Sequence, residues 1–184
     1  SPPTRASRWG WRTAATPHRA GARPPGSDTI SPDMLAKKDS QPDASVRHLF
    51  LKPTRGAPML PVGQATAISV EGLLHDASRG RRKRHVLLIE METLRDFGLN
   101  PGDLRENLVV AGLPLAGTAP GTRLHAGTVE LEVTTDCAPC NYIDSLRPGL
   151  QERIKGRRGT LCRVIRGGEI SVGDAVALIA QPSR

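Results

Sequence analysis

The stretch Val129-Glu-Leu-Glu-Val-Thr-Thr-Asp136 alternates apolar and polar side chains and runs straight into Cys137-Ala-Pro-Cys140. Alternation with a period of two puts one row of side chains on each face of an extended chain. The segment therefore reads as a half-buried strand that delivers two thiols at its end. A strand with one apolar face needs neighbours, and the sequence supplies short apolar runs of the same kind. Val46–Leu51, Gln64–Val70, His85–Glu90, Leu108–Val110, Arg123–His125, Leu161–Ile165 and Ala175–Ile179 have strand composition, with Gly, Pro, Asn and Asp in the gaps. Short helices are expected over Met91–Phe97, closed by Gly98, over Tyr142–Leu146, and over Pro148–Ile154 with Gly156 past its end. Many short strands, Gly-rich turns and few helices imply a mostly β domain, a closed barrel-like sheet carrying a few short helices. Closure would also hide the strand edges.

The chain has 184 residues, a length suited to one domain. Its apolar residues are unevenly spread. Residues 1–44 hold five large apolar side chains (Trp9, Trp11, Ile30, Met34, Leu35) and seven of the sixteen prolines. Such a stretch cannot bury enough surface to offset its chain entropy, so it is expected to be a disordered or loosely attached basic tail. The folded domain is expected over 45–184. Net charge is +8; the tail, with seven Lys/Arg and four Asp, holds +3 of it, leaving +5 for the domain. That balance permits phosphate-bearing partners without choosing among them. Readers of single-stranded nucleic acid stack bases on aromatic rings, and the domain has only Phe50, Phe97 and Tyr142. Nucleic acid is therefore the least favoured partner, although Arg79-Gly-Arg-Arg-Lys-Arg84 alone would suggest an RNA or membrane-surface patch as readily as a solvated loop.

Three cysteines argue against a disulfide scaffold and for a reducing compartment, so a cytoplasmic location is expected. No apolar run has the length of a membrane span or a secretory h-region. Arg5, Arg8, Arg12, Arg19 and Arg23 precede the first acid, Asp28, which also fits an organellar presequence. The alternative is a translated upstream extension with Met34 as the start. The chain opens on Ser1, as a processed or incomplete chain would.

A thiol at the mouth of a strand can be a nucleophile, a sulfur carrier or a metal ligand. A nearby cation would keep it ionised. Arg105, thirty-two residues before Cys137, can supply that charge while its planar fork grips an oxyanion. Asn107 would point to the same side of an extended chain, with an amide that both donates and accepts. The alternative for both is a solvated turn with local hydrogen bonds. Zinc is poorly supported, because a structural site needs about four ligands and no second Cys-x-x-Cys is present. Cys162, in an apolar run, reads as a small core residue.

The order of these segments resembles the MOSC domain, named for the C-terminal domain of molybdenum cofactor sulfurase. Glu71-Gly-Leu73 with His75-Asp76, the Arg84-His-Val-Leu-Leu-Ile89 strand, Gly102-Asp-Leu-Arg105-Glu-Asn107, the strands 120–127 and 129–133, Pro139-Cys140, and the closing segments 159–170 and 172–176 follow the family's order. His75 stands where the family usually has Gly. The chain resembles a small stand-alone member, with neither an N-terminal barrel domain nor a ferredoxin module.

The resemblance implies a molybdenum cofactor (molybdopterin) bound here, with Cys140 as molybdenum ligand and as the catalytic residue. The implied reaction is reduction of N-hydroxylated small-molecule substrates with electrons from an external donor. Arg105, Asn107, Arg84, Asp76 and Thr135 are the implied cofactor-binding residues, and Cys137 is a possible redox partner. The other implied role is a sulfur carrier: a cysteine desulfurase using pyridoxal phosphate would load Cys140 with a persulfide for a metal–sulfur centre. No covalent pyridoxal phosphate is expected here, because Lys52, Lys83 and Lys155 lack a Schiff-base context in the sequence.

Overall fold

A computed structural model of the protein describes residues 44–179. The expected tail, 1–43 of it, lies outside the described residues. Eleven strands and three short helices follow in the order β1 (Ser45–Leu51), β2 (Leu60–Val62), β3 (Gln64–Ile68), β4 (Gly72–Leu73), β5 (Val86–Glu90), α1 (Met91–Asp96), β6 (Leu108–Ala111), β7 (Arg123–Ala126), β8 (Val129–Asp136), α2 (Asn141–Leu146), α3 (Leu150–Arg153), β9 (Thr160–Arg166), β10 (Gly168–Ser171) and β11 (Val176–Leu178). The domain is mostly β with a few short helices, as the punctuated apolar runs imply.

An eight-stranded sheet runs β11-β7-β8-β9-β5-β6-β1-β2, and a three-stranded sheet runs β10-β3-β4. Neither closes into a barrel through a continuous ladder, so the closed sheet expected from the sequence is corrected in this respect. What joins the two ends is slight. Ser45 bridges Ala175, Val46 N–H bonds the Asp174 carbonyl at 2.9 Å, and Val176 N–H bonds the Ala44 carbonyl at 3.0 Å. The strands are the reason: β11 is three residues long and its ladder partner is β7, which leaves only its lead-in to meet β1.

β8 has the alternation read from the sequence. Val129, Leu131 and Val133 are buried, while Glu130 and Glu132 face outward and pair with Arg123 and Arg163 on the flanking strands. β5 and β6 behave differently, since both their faces are covered. Val86, Leu88, Leu108 and Val110 enter one apolar cluster between the sheets. Ile89 and Val109 enter a second, with Leu94 of α1, Ile143 of α2 and Leu150 of α3. Strands buried on both faces read as continuous apolar runs, and these do. Each fully buried Leu or Ile contributes about 1.5–3 kcal/mol. Gly98, at φ 59, ends α1 as the sequence implied.

Three strands were not legible in the sequence. β2 contains Pro61, which is tolerated because β2 is an edge strand paired only with β1. β4 has two residues. β10 begins at Gly168, within a Gly-Gly pair that reads as a turn; a Cβ there would collide with Thr128 Oγ1, so close packing and not chain reversal demands the glycine. The third helix starts two residues later than expected, after Gly149 at φ 76.

Candidate functional site

Asp76 and Asn107, two of the expected cofactor-binding residues, form an internal brace. Asp76 is 5% exposed; its Oδ2 accepts from Lys52 N–H (2.8 Å) and Asn107 Nδ2 (2.8 Å), and its Oδ1 accepts from Ser78 N–H (2.7 Å). Asn107, 1% exposed, also donates Nδ2 to the Phe50 carbonyl (3.1 Å) and accepts Leu87 N–H at Oδ1 (3.1 Å). This fastens the end of β1 to the start of β5. The solvated-turn alternative does not describe Asn107, whose bonds span up to 57 residues of sequence.

Beside the brace lies a cavity of about 160 Å³. Lys52, Arg81, Arg84, Arg105 and Arg158 line it with the thiol-bearing Cys137, and no carboxylate is among its lining residues. Arg158 is the unusual member. It is 6% exposed, bonds the Leu104 carbonyl through Nη2 (2.8 Å), and has no partner for Nε or Nη1. The loop carrying it is pressed onto β5: a Cβ on Gly159 would lie 2.5 Å from the Leu88 carbonyl oxygen. Glu106 is fully buried, accepts Gly102 N–H at Oε1 (2.5 Å) and leaves Oε2 without a partner. Burial pushes its carboxyl above the usual range, against the pull of the Gly102 and Glu106 N–H groups and of Arg158.

Arg105 has a left-handed backbone (φ 59), so the chain is not extended between it and Asn107, yet both line the cavity. Its guanidinium bonds the Ala57 carbonyl (2.7 Å) and lies 5.5 Å from the centre of the Tyr142 ring. It also lines a second, larger cavity of about 370 Å³ with Phe50, Met59, Asp103 and Tyr142. Lys52 is half-buried, and its Nζ reaches Ser78 Oγ at 3.4 Å. Burial lowers its amine pKa; Asp76 opposes the shift, while Arg105, Arg81 and Arg158 reinforce it.

The thiol loop leaves β8 past a register shift between Val133 and Thr135. Cys137 N–H bonds the Gly159 carbonyl at 2.8 Å, which fixes Cys137 next to the Arg158 loop. Burial raises its thiol pKa; Arg158, Arg84 and Lys52 pull it down, and Cys140 pushes it up. Cys140 is exposed, precedes α2, and does not line the cavity. Thr135 is also exposed and away from the lining, in register with Leu161. Its neighbour Thr134 has its hydroxyl within reach of the Lys83 (2.7 Å) and Leu161 (2.9 Å) carbonyls. Cys162 is buried in the core, where burial drives its thiol pKa far up.

The fold thus gathers Arg84, Arg105, Asn107 and Cys137 around one cavity, sets Asp76 behind it, and leaves Cys140 and Thr135 outside the lining. Sequence reasoning missed Arg158, Arg81 and Lys52 as members. The available signal for Arg158 was slight: two arginines before a glycine at a strand entry.

The family model described as MOSC domain matches residues 77–177, more than half of the chain, and the chain belongs to that family. Similar solved structures include the YuaD protein from Bacillus subtilis (TM-score 0.62, 20% identity, 72% of this chain and 93% of that chain covered). They also include YiiM from Geobacillus stearothermophilus (TM-score 0.61, 19% identity, 74% and 75%) and YiiM from Escherichia coli (0.56, 20%, 75% and 72%). At these identities the likeness is one of fold. A search of curated proteins found no match. Among the described residues, no helix is long and apolar enough to cross a membrane.

Proposed function

We propose that this MOSC protein binds a molybdopterin-type cofactor, with the phosphate end in the cation-lined cavity. Arg158 carries the reading: a buried guanidinium with two unpartnered nitrogens in the wall of a cavity that holds four further cations. An uncompensated buried charge costs several kcal/mol, so a counter-anion is expected. A phosphate satisfies a planar guanidinium through paired charge-assisted bonds. About 160 Å³ suits a phosphate and not a whole pterin, so the fit concerns that end of the cofactor. Lys52, Arg84 and Arg158 bind and orient the phosphate, and Arg105 stands between the two cavities. Cys140, exposed at the loop, is the proposed metal ligand, and Cys137 its neighbour under the influence of the cations. When bound, such a cofactor supplies a metal that exchanges an oxygen atom and two electrons, as reduction of N-hydroxylated compounds requires, with an external donor providing the electrons.

Exposure of Cys140 favours a second reading, the sulfur carrier, because a thiol loaded by a partner cysteine desulfurase has to be reachable. Molybdenum and pterin content separate the two, measured on wild type, Cys140→Ala and Arg158→Met purified from cells able to make the cofactor. The cofactor reading expects near-stoichiometric molybdenum and pterin in wild type, loss of both in Arg158→Met, and loss or lability of the metal in Cys140→Ala. A fully competent wild-type preparation without molybdenum or pterin would sink it. Release of persulfide sulfur to cyanide by wild type and not by Cys140→Ala would then support the carrier.

A further inference from the structure

We infer that Lys52 is an imine-forming lysine and that the cavity accepts small aldehydes or ketones bearing a carboxylate or phosphate. The inference uses the same cavity as the proposed cofactor site but rests only on its preference for anions.

The position of Lys52 is fixed from both sides. Its N–H is held by Asp76 Oδ2 and its carbonyl accepts Ala77 N–H at 2.8 Å, so the side chain leaves a rigid backbone into the cavity. Its amine meets Ser78 Oγ at 3.4 Å and forms no ion pair with any carboxylate among the described residues. Asp76, the acid nearest in influence, already accepts three N–H groups. Arg105, Arg81 and Arg158 act on the amine electrostatically, and Arg84 lines the same cavity. Desolvation and neighbouring cations both favour the uncharged amine, the nucleophilic form. Lys83 is exposed in the basic turn, and Lys155 is exposed and paired with Glu152, so neither shares this setting.

The same guanidiniums select the electrophile. An anionic group held by Arg81, Arg84 or Arg158 brings an attached carbonyl carbon to the amine and excludes neutral analogues from the same advantage. The nitrogen lone pair attacks the carbonyl carbon, and a proton passes from nitrogen to the carbonyl oxygen to give a carbinolamine. Departure of that oxygen as water then leaves a carbon–nitrogen double bond. The sum is amine plus carbonyl giving imine plus water, with no oxidant or reductant. A volume of about 160 Å³ limits the ligand to a small 2-oxo acid or a short phosphorylated aldehyde or ketone.

The test uses the full chain purified from cells unable to make the cofactor, treated with pyruvate or with neutral acetone in the presence of cyanoborohydride. Adducts are mapped by peptide mass spectrometry. Pyruvate is expected to modify Lys52 at least about tenfold faster than Lys83 or Lys155, the lower end of electrostatic concentration effects. Acetone should show a smaller preference for Lys52, because it gains from the uncharged amine and not from the guanidiniums. Arg81→Ala with Arg84→Ala, both at exposed positions, should slow the pyruvate reaction at Lys52 more than the acetone reaction, which loses only the effect of Arg81 on the amine. Lys52→Arg keeps the charge and should abolish the fast adduct. Equal labelling of the three lysines, or a rate indifferent to the two arginines, would overturn the inference. Cofactor loading is read independently as molybdenum and pterin, so a chain that loads cofactor without fast Lys52 labelling rejects the imine alone. A chain labelled rapidly without ever loading cofactor rejects the cofactor alone.

Discussion

Two buried polar clusters lie side by side in this molecule and are built on opposite rules. In the brace, both Asp76 oxygens and the Asn107 amide have partners, and the cluster ties four chain segments together. In the neighbouring cluster, Glu106 and Arg158 supply three of the five buried side-chain atoms that lack a partner among the described residues. A fully satisfied network holds a fold; a partly satisfied one beside a cavity is set up for something that arrives later. The contrast separates residues that position the site from those available to a ligand, with Asp76 behind the cavity and Asn107 in its wall as parts of the brace.

The largest expected effect is the difference between Asp76→Ala and Arg158→Met. Asp76→Ala leaves three N–H donors unpaired in the interior and should cost roughly 2–4 kcal/mol in denaturant unfolding. Arg158→Met replaces a buried charge by an apolar chain of similar length and should be close to neutral or stabilising, within about 1 kcal/mol. Equal destabilisation by the two would break the comparison, because Arg158 would then be as structural as Asp76.

A second, smaller effect sharpens it through pH. Burial raises the Glu106 pKa in the folded state, so the fold holds this proton more tightly than the unfolded chain does. The resulting stability is fully present in acid, below the ordinary glutamate range, and is lost as pH rises through the raised folded value. Glu106→Gln removes that loss. The melting temperature of the variant should therefore improve relative to wild type as pH rises from the ordinary glutamate range through neutrality. A constant difference across that range would mean that Glu106 is not held protonated by its burial.

The smallest effect is expected at Arg79, which pairs with Glu71 at 2.5 Å while both side chains remain more than 40% exposed. Arg79→Ala should change unfolding free energy by less than about 0.5 kcal/mol. A larger loss would place the basic turn among the elements that hold the site.

Much of the fold was open to reading because its signals are local. The alternation of β8, the apolar runs of β5 and β9, and Gly98 after α1 each report a preference that neighbouring residues impose on one another. β2, β4 and β10 were not readable, since two- to four-residue strands with Pro or Gly become strands only when a partner presents a ladder. The site divides the same way. Arg84, Arg105, Asn107 and Cys137 were recognisable from motif order and do meet at the cavity. Cys140 was recognisable too, but its place outside the lining depends on where α2 begins.

By itself the sequence determined a basic, mostly β domain with a thiol pair at the end of one alternating strand. Residue type, spacing and period are short-range properties, and they survive without knowledge of what packs against what. Only the tertiary structure decided which polar residues are spent on one another. Lys52 and Arg158 lie 106 residues apart in sequence and line the same cavity, and Asn107 is satisfied by Asp76, thirty-one residues away. Whether a buried polar atom has a partner is a property of the packed chain, because the hydrogen bond that answers it is made across the fold and not along the sequence.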